Sequence, residues 1–112
     1  VNISTVDEFC NANEINNISY LKIDTEGGDL NVLKGSKNIL STKIVDFVEV
    51  EAGMNPNNKH HVPFEALKKF LEGHNYFIFG IYEQVNEKPE RKPNLRRANV
   101  VFISEKMIQN AR

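Results

Sequence analysis

The sequence has little cysteine, no long apolar run and no strong excess of either charge. Cys10 is the single cysteine among 112 residues, so an internal disulfide is impossible, and no spacing of Cys and His indicates structural zinc. No stretch approaches the ~20 apolar residues of a membrane-spanning helix. The formal net charge of −1 gives no basic field of the kind that favours nucleic acid. We therefore expect neither a membrane nor nucleic acid as a partner.

The composition that is present is typical of one globular domain over residues 1–112, with 40% hydrophobic and 26% charged residues. The lone cysteine indicates a reducing, cytoplasmic compartment. No basic segment precedes an apolar one, so we expect no signal peptide in these residues. The chain begins at Val1 rather than Met, which predicts a partial domain cut from something longer.

Hydrophobic periodicity and capping signals predict alternating helices and strands. Thr5 and Glu8 fit a capping box, and Gly35 predicts a kinked or close-packed point within a helix. The predicted elements are a helix over 5–14, a strand over 18–23, a helix over 29–40, a strand over 44–50, a helix over 63–72, and strands over 76–82 and 98–103. Two strand–helix–strand units predict parallel strands with right-handed crossovers, and the last two strands are predicted to be antiparallel.

Acidic residues follow the first two predicted strands. In open α/β sheets, ligands bind beyond the carboxyl ends of the parallel strands. Asp24 ends the first strand and Glu51 ends the second, so the two carboxylates can approach one another at one edge. Such a pair could bind a divalent cation, orient a hydroxyl group or act as a general base.

The neighbouring polar residues each allow a functional and a plain structural interpretation. Glu26 and Asp29 suit either a binding site or a helix start, and Glu49 either faces the site or points to solvent. His60 and His61 are candidate bases in a loop at the same edge, or simply exposed loop residues. The basic segment 91–97 either meets an anionic substrate or is a solvated loop.

Residues 20–35 resemble the signature of the FkbM-type methyltransferases, a Lys-Ile-Asp-x-Glu-Gly core followed by an acidic residue, a Val-Leu pair and a glycine. The matching residues are Lys22, Ile23, Asp24, Glu26, Gly27, Asp29, Val32, Leu33 and Gly35. The family more often has glutamate where Asp29 stands. Residues 5–9 and 48–51 resemble the family's preceding helix start and its next strand.

The resemblance implies the C-terminal half of a class I methyltransferase, a Rossmann-like fold with a mostly parallel sheet, helices on both faces and an antiparallel final strand. The chain matches strands four to seven of that fold. Strands one to three are absent, and the chain has no Gly-x-Gly-x-Gly turn to hold the cofactor, S-adenosylmethionine. We therefore expect the isolated chain to bind this cofactor weakly or not at all.

The resemblance also implies roles for the acidic and histidine residues, in the O-methylation of a small molecule or sugar. Asp24 would lie nearest the reacting centre, as a catalytic residue and, with Thr25, as a cofactor contact. Glu26, Glu49 and Glu51 would bind substrate, and the candidate bases are His60 and His61.

An alternative from a different class is a non-catalytic α/β module. The first strand of such a module would present an unpaired edge and bind a second copy, giving a homo-oligomer. A hydrolase is disfavoured because no serine lies in a nucleophile elbow. A phosphate-binding loop is disfavoured because no glycine-rich segment precedes a helix with Lys-Ser or Lys-Thr.

Overall fold

The computed structural model describes residues 5–88 and 92–111, which form a sheet and a layer of helices. The strands are β1 (Ile18–Lys22), β2 (Val45–Gly53), β3 (Val62–Pro63), β4 (Tyr76–Asn86) and β5 (Leu95–Ser104). The helices are α1 (Val6–Ala12), α2 (Asp29–Lys34), α3 (Lys37–Ser41), α4 (Phe64–Glu72) and α5 (Glu105–Asn110).

The strand order is β1-β2-β5-β4, with the short β3 pairing with β2. β1 and β2 are parallel, whereas β5 is antiparallel to both β2 and β4. The predicted antiparallel final strand, inserted beside its neighbour, is therefore confirmed. The prediction of a mostly parallel sheet is wrong, because β5 separates β2 from β4 and turns most of the pairing antiparallel.

The prediction of helices on both faces is also wrong for the part of the chain that the structure describes. The connections from β1 to β2 and from β2 towards β4 run in the same direction across the sheet. With the right-handed crossovers that such connections almost always have, their helices lie on the same face. The molecule measures 48 × 45 × 19 Å. Its smallest dimension fits a sheet and one layer of helices, each helix being about 10–12 Å across.

Buried and partly exposed residues alternate along most of β2, as expected for a strand with one face covered by helices. Val48, Val50 and Ala52 are fully buried, and they join Leu40 and Leu67 from the helices in one core. The intervening residues of β2 point to the opposite face, which the described helices leave open. Glu49 and Glu51 therefore lie on the face of β2 that points away from the helices.

The predicted helix starts and breaks are largely confirmed in the first half of the chain. Thr5 and Glu8 form the capping box of α1. The predicted 29–40 helix is two helices, α2 and α3, divided at Gly35 and Ser36. Gly35 is close-packed as predicted, since a Cβ there would lie 3.1 Å from Thr5 Cβ. Asp7 caps α3, accepting hydrogen bonds from the amides of Asn38 and Ile39 at 2.9 and 3.0 Å.

The second half differs more from the prediction. β4 and β5 extend into the segment predicted as a loop over 83–97, which leaves residues 87–94 between the strands. Pro63 is the N-cap of α4 rather than its first residue. Arg91, part of the predicted basic loop, lies outside the described residues. Within 5–88 and 92–111, no helix combines the length and the apolar character needed to cross a bilayer.

Candidate functional site

A cavity of about 350 Å³ lies at the carboxyl ends of β1 and β2. It brings together four of the predicted site residues with basic residues from β5 and from the end of β4. The lining residues are Glu26, Glu51, His60, His61, Val85, Lys88, Arg96 and Arg97. The edge selected from the sequence therefore contains a cavity with both acidic and basic side chains.

Glu51 is the central group of this cavity, and its side chain is only 12% exposed. Its Oε2 lies 3.4 Å from Arg97 Nη1, and its Oε1 lies 3.0 Å from His61 Nε2. The histidine contact is not aligned as a hydrogen bond, so Oε1 is a buried acceptor with no aligned donor among the described residues. A buried carboxylate oxygen without a donor is costly unless a ligand supplies one.

His61 is held in place through its Nδ1 nitrogen. Its Nδ1 lies 3.0 Å from Asn58 Nδ2, while Nε2 faces Glu51. The amide of Asn58 also donates to the Arg96 carbonyl at 2.9 Å, which fixes its orientation. Because Nδ1 accepts from an amide, the Nε2 nitrogen carries the proton in the neutral ring. His61 therefore faces Glu51 through its Nε2 nitrogen without donating a hydrogen bond to it.

Asp29 links the loop after β1 to β2, and it is fully buried. Its Oδ1 accepts from the backbone N and the hydroxyl of Thr25, at 3.2 and 2.5 Å. Its Oδ2 accepts from the backbone N of Glu51 at 2.9 Å. This acidic residue of the signature therefore fixes the backbone of Glu51 rather than contacting the cavity.

Gly27 allows the loop after β1 to approach the loop after β2. Its φ is 117°, which side chains rarely tolerate, and a Cβ would lie 2.7 Å from the His60 carbonyl oxygen. The neighbouring Glu26 also has a positive φ of 51°. The glycine of the signature therefore brings Glu26 and His60 to the same cavity.

Glu49 lies elsewhere, on the open face of the sheet beside a mainly apolar cleft of about 470 Å³. It accepts hydrogen bonds from the Tyr20 hydroxyl at 2.5 Å and from Asn99 Nδ2 at 2.6 Å. Desolvation, followed by the hydrogen bond to Glu49, raises the pKa of Tyr20 to about 12. Both carboxylate oxygens of Glu49 are thus engaged within the protein.

The sequence matches a known family over most of its length. The methyltransferase FkbM domain matches residues 1–78. The chain belongs to the FkbM methyltransferase family. Comparison with curated proteins and with solved structures finds no significant match. The matched region of the FkbM domain contains Glu26, Glu51, His60 and His61, whereas Arg97 lies beyond it.

Methyltransferases generally take their methyl group from S-adenosylmethionine. The residues predicted to contact this cofactor are Asp24 and Thr25. Asp24 is exposed after β1 and has no hydrogen-bond partner among the described residues. The Thr25 hydroxyl instead donates to Asp29. The described residues therefore do not fit the whole cofactor, since they include no glycine-rich cradle.

Sequence reasoning missed two groups of this FkbM site. The sequence places Arg97 in a basic segment that either meets an anionic substrate or is a solvated loop, but its position beside Glu51 depends on the register that pairs it with Gly53. Asn58 carries no local sequence signal that marks it as the partner of His61. Among the described residues, no group of three or more His, Cys, Asp or Glu side chains is arranged for a metal ion.

Proposed function

We propose that this chain forms the acceptor side of an S-adenosylmethionine-dependent O-methyltransferase that methylates a hydroxyl group of a small molecule or sugar. The observation that supports this most is the buried Glu51 Oε1, which lines the cavity and lacks an aligned donor. A substrate hydroxyl is a donor of the right kind to satisfy it. The membership in the FkbM family supplies the methyl-transfer chemistry.

In this proposal Glu51 accepts a hydrogen bond from the acceptor hydroxyl and takes its proton as the oxygen is methylated. General base catalysis of this kind requires a base within hydrogen-bond reach of the proton that it removes. Arg97 and His61 are proposed as positioning residues, because their nitrogen atoms lie 3.4 and 3.0 Å from the two oxygens of the carboxylate. The alignment of the acceptor, more than the proton transfer, supplies most of the rate.

The roles proposed for the other candidates follow from their surroundings. Asp24 remains a candidate contact for the cofactor, since it is exposed next to the cavity loop. Glu26 and His60 line the cavity and would contact the acceptor. Glu49 is saturated by Tyr20 and Asn99, so its proposed role is structural rather than substrate binding.

A test is methyl transfer by the complete gene product from labelled S-adenosylmethionine to a panel of sugars and small hydroxylated compounds. Glu51→Gln retains the shape of the side chain but cannot accept the proton, so we expect kcat/KM to fall by about 10²–10⁴-fold. Glu65→Gln, on the exposed face of α4, is the matched control and should retain full activity.

Two results would contradict the proposal. One is an unchanged rate in Glu51→Gln, above all if His60→Gln abolishes the transfer instead. The other is the absence of transfer to every hydroxyl acceptor by a folded protein that binds S-adenosylmethionine.

A second candidate function is association with another copy through the sheet. It is favoured by the position of β1, which pairs only with β2 among the described strands, and by exposed aromatic side chains on the open face. Tyr20 and Phe79 are 50% and 57% exposed. Sedimentation of this chain over a range of concentrations tests the idea: a dimer that Tyr20→Lys dissociates supports it, and a monomer throughout excludes it.

A further inference from the structure

A second cavity, of about 440 Å³, lies between the loop after β2 and the ends of β4 and β5. His60 and Arg96 line both this cavity and the cavity of Glu51, so the two are neighbours. Its charged lining residues also include Lys59, Glu87 and Lys92. One ligand can therefore reach both cavities by extending past His60 and Arg96.

The charge of this second cavity is mainly positive, although the whole chain carries a formal net charge of −1. Glu87 is the opposing carboxylate in its lining. Asn55 donates to Glu87 at 2.7 Å, and Arg96 Nη1 lies 3.9 Å from it. Lys59 is exposed and forms no ion pair with any described residue. The cavity thus offers more cationic donors than its own carboxylate can neutralise.

The position of Arg96 is fixed by the loop that faces it. The Arg96 carbonyl accepts from the backbone N of Met54 and from Asn58 Nδ2, both at 2.9 Å. The same Asn58 side chain accepts from the backbone N of His60 at 2.9 Å, next to Lys59. Asn58 therefore joins the two backbone segments that carry Lys59 and Arg96. Because these backbone segments are fixed before binding, less entropy is lost when the side chains of Lys59 and Arg96 bind an anion.

We infer that the acceptor of this enzyme is an anionic molecule, whose phosphate or carboxylate group is bound by Lys59 and Arg96 while its hydroxyl group faces Glu51. Guanidinium and ammonium groups are the donors that proteins use for these anions. The inference rests on the proposed function for the place of the hydroxyl group. The cationic cavity determines the substrate class, and the cavity of Glu51 determines the methylated atom.

The experiment measures equilibrium binding of glucose, glucose 6-phosphate and glucuronate to the complete gene product, at low and at high salt. We expect at least one anionic sugar to bind about tenfold more tightly than glucose, with an advantage that shrinks as salt screens the charges. Lys59→Gln should reduce that advantage about two- to fivefold, the usual range for one exposed ion pair. Lys59→Arg should preserve it. Lys106→Gln, on exposed α5, is the matched control and should have no effect.

Tighter binding of glucose 6-phosphate alone indicates a site for phosphate, and tighter binding of both glucose 6-phosphate and glucuronate indicates a site that accepts either anion. Either result supports the inference. Equal binding of all three sugars overturns it, and so does an equal loss in Lys59→Gln and Lys106→Gln. If neutral sugars are methylated in a Glu51-dependent manner without any anion preference, this inference fails and the proposed function stands. If anionic sugars bind through Lys59 but no hydroxyl group is methylated, the anion site stands and the proposed function fails.

Discussion

Glu49 and Glu51 lie two residues apart on the same face of β2, but their surroundings give them different roles. Glu49 accepts from Tyr20 and Asn99, whereas Glu51 retains an oxygen without an aligned donor. The difference comes from the neighbouring strands, which place a tyrosine beside one carboxylate and an arginine beside the other. An acidic strand end predicted a site here, but the sequence alone could not separate these two residues.

The signature residues of the loop after β1 act mainly by supporting the site. Asp29 binds the backbone of Glu51, and Gly27 lets His60 approach. The sequence is compatible with Asp29 either at the start of a helix or in a binding site. Its contact with a residue 22 positions away depends on the pairing of β1 with β2. Such long-range contacts explain why the edge of the sheet was predictable and the individual partners were not.

Gly27→Ala tests this close approach. The alanine would require a backbone with φ near 117° and would place its Cβ 2.7 Å from a carbonyl oxygen, so the loop must move. We expect the free energy of unfolding to fall by at least about 1–3 kcal/mol in chemical denaturation. Glu26→Gly, at the adjacent positive φ, is the control and should change stability much less. A stability loss in Gly27→Ala no larger than that of the control would disprove the account of this loop.

At the scale of elements, the N-terminus of α3 is capped by a side chain of α1, which lies about 30 residues earlier in the chain. α3 has no side-chain cap of its own at Ser36. Asp7 of α1 supplies it, and the backbone N of Asp7 donates to the Gly35 carbonyl at 3.0 Å. The start of α3 is therefore stabilised by α1 rather than by its own sequence.

Asp7→Ala should lower the free energy of unfolding by about 1–2 kcal/mol, since replacing an N-cap residue with alanine has this effect. Lys37→Ala, an exposed substitution at the start of α3, should change it by less than about 0.5 kcal/mol. Thermal and denaturant unfolding of both variants measure the difference. Equal stability of the two variants would show that the contact between Asp7 and α3 contributes nothing.

Elements with strong local signals were predicted well, and those formed by pairing were not. The capping box of α1, the strands β1 and β2 and the apolar stripe of α4 all have local patterns. The ends of β4 and β5 are polar, so periodicity suggested a loop over 83–97. Backbone pairing such as Val85 with Arg97 extends the strands there. The short β3 and α5 have too few residues for a periodic signal.

At the scale of the whole molecule, the described helices cover one face of the sheet and leave its other face open. The two connections run in the same direction across the sheet, and right-handed crossovers, which are the rule, then place both sets of helices on one face. The prediction of helices on both faces failed because it followed the general rule for parallel sheets rather than the direction of these two connections. The open face carries the aromatic cleft beside Glu49, next to the cavity of Glu51.

Tyr76 links the start of β4 to the start of β2, and its ionisation makes the stability of the fold decrease at alkaline pH. The buried hydroxyl donates to the Val45 carbonyl at 2.7 Å, and desolvation, with the charge of Asp46, raises the pKa of Tyr76 to about 12. The unfolded tyrosine loses its proton near pH 10, so the folded state binds more protons between pH 10 and 12. Its contribution is fully present below pH 10 and is lost as the pH rises through about 12.

Tyr76→Phe should therefore lower the free energy of unfolding at neutral pH by about 1 kcal/mol, because the hydrogen bond is lost. Between pH 10 and 12, the free energy of unfolding should fall less in this variant than in the unsubstituted protein. Urea unfolding at a series of pH values measures both effects. An identical alkaline loss in the two proteins would show that Tyr76 does not cause it.

The most direct test of the central claim is a crystal structure of the complete gene product with a methyl acceptor bound. The account predicts that the acceptor hydroxyl lies within about 3 Å of Glu51 Oε1, between the loops that follow β1 and β2. An acceptor bound instead on the open face beside Glu49, or with its hydroxyl directed at His60 and away from Glu51, would contradict the claim.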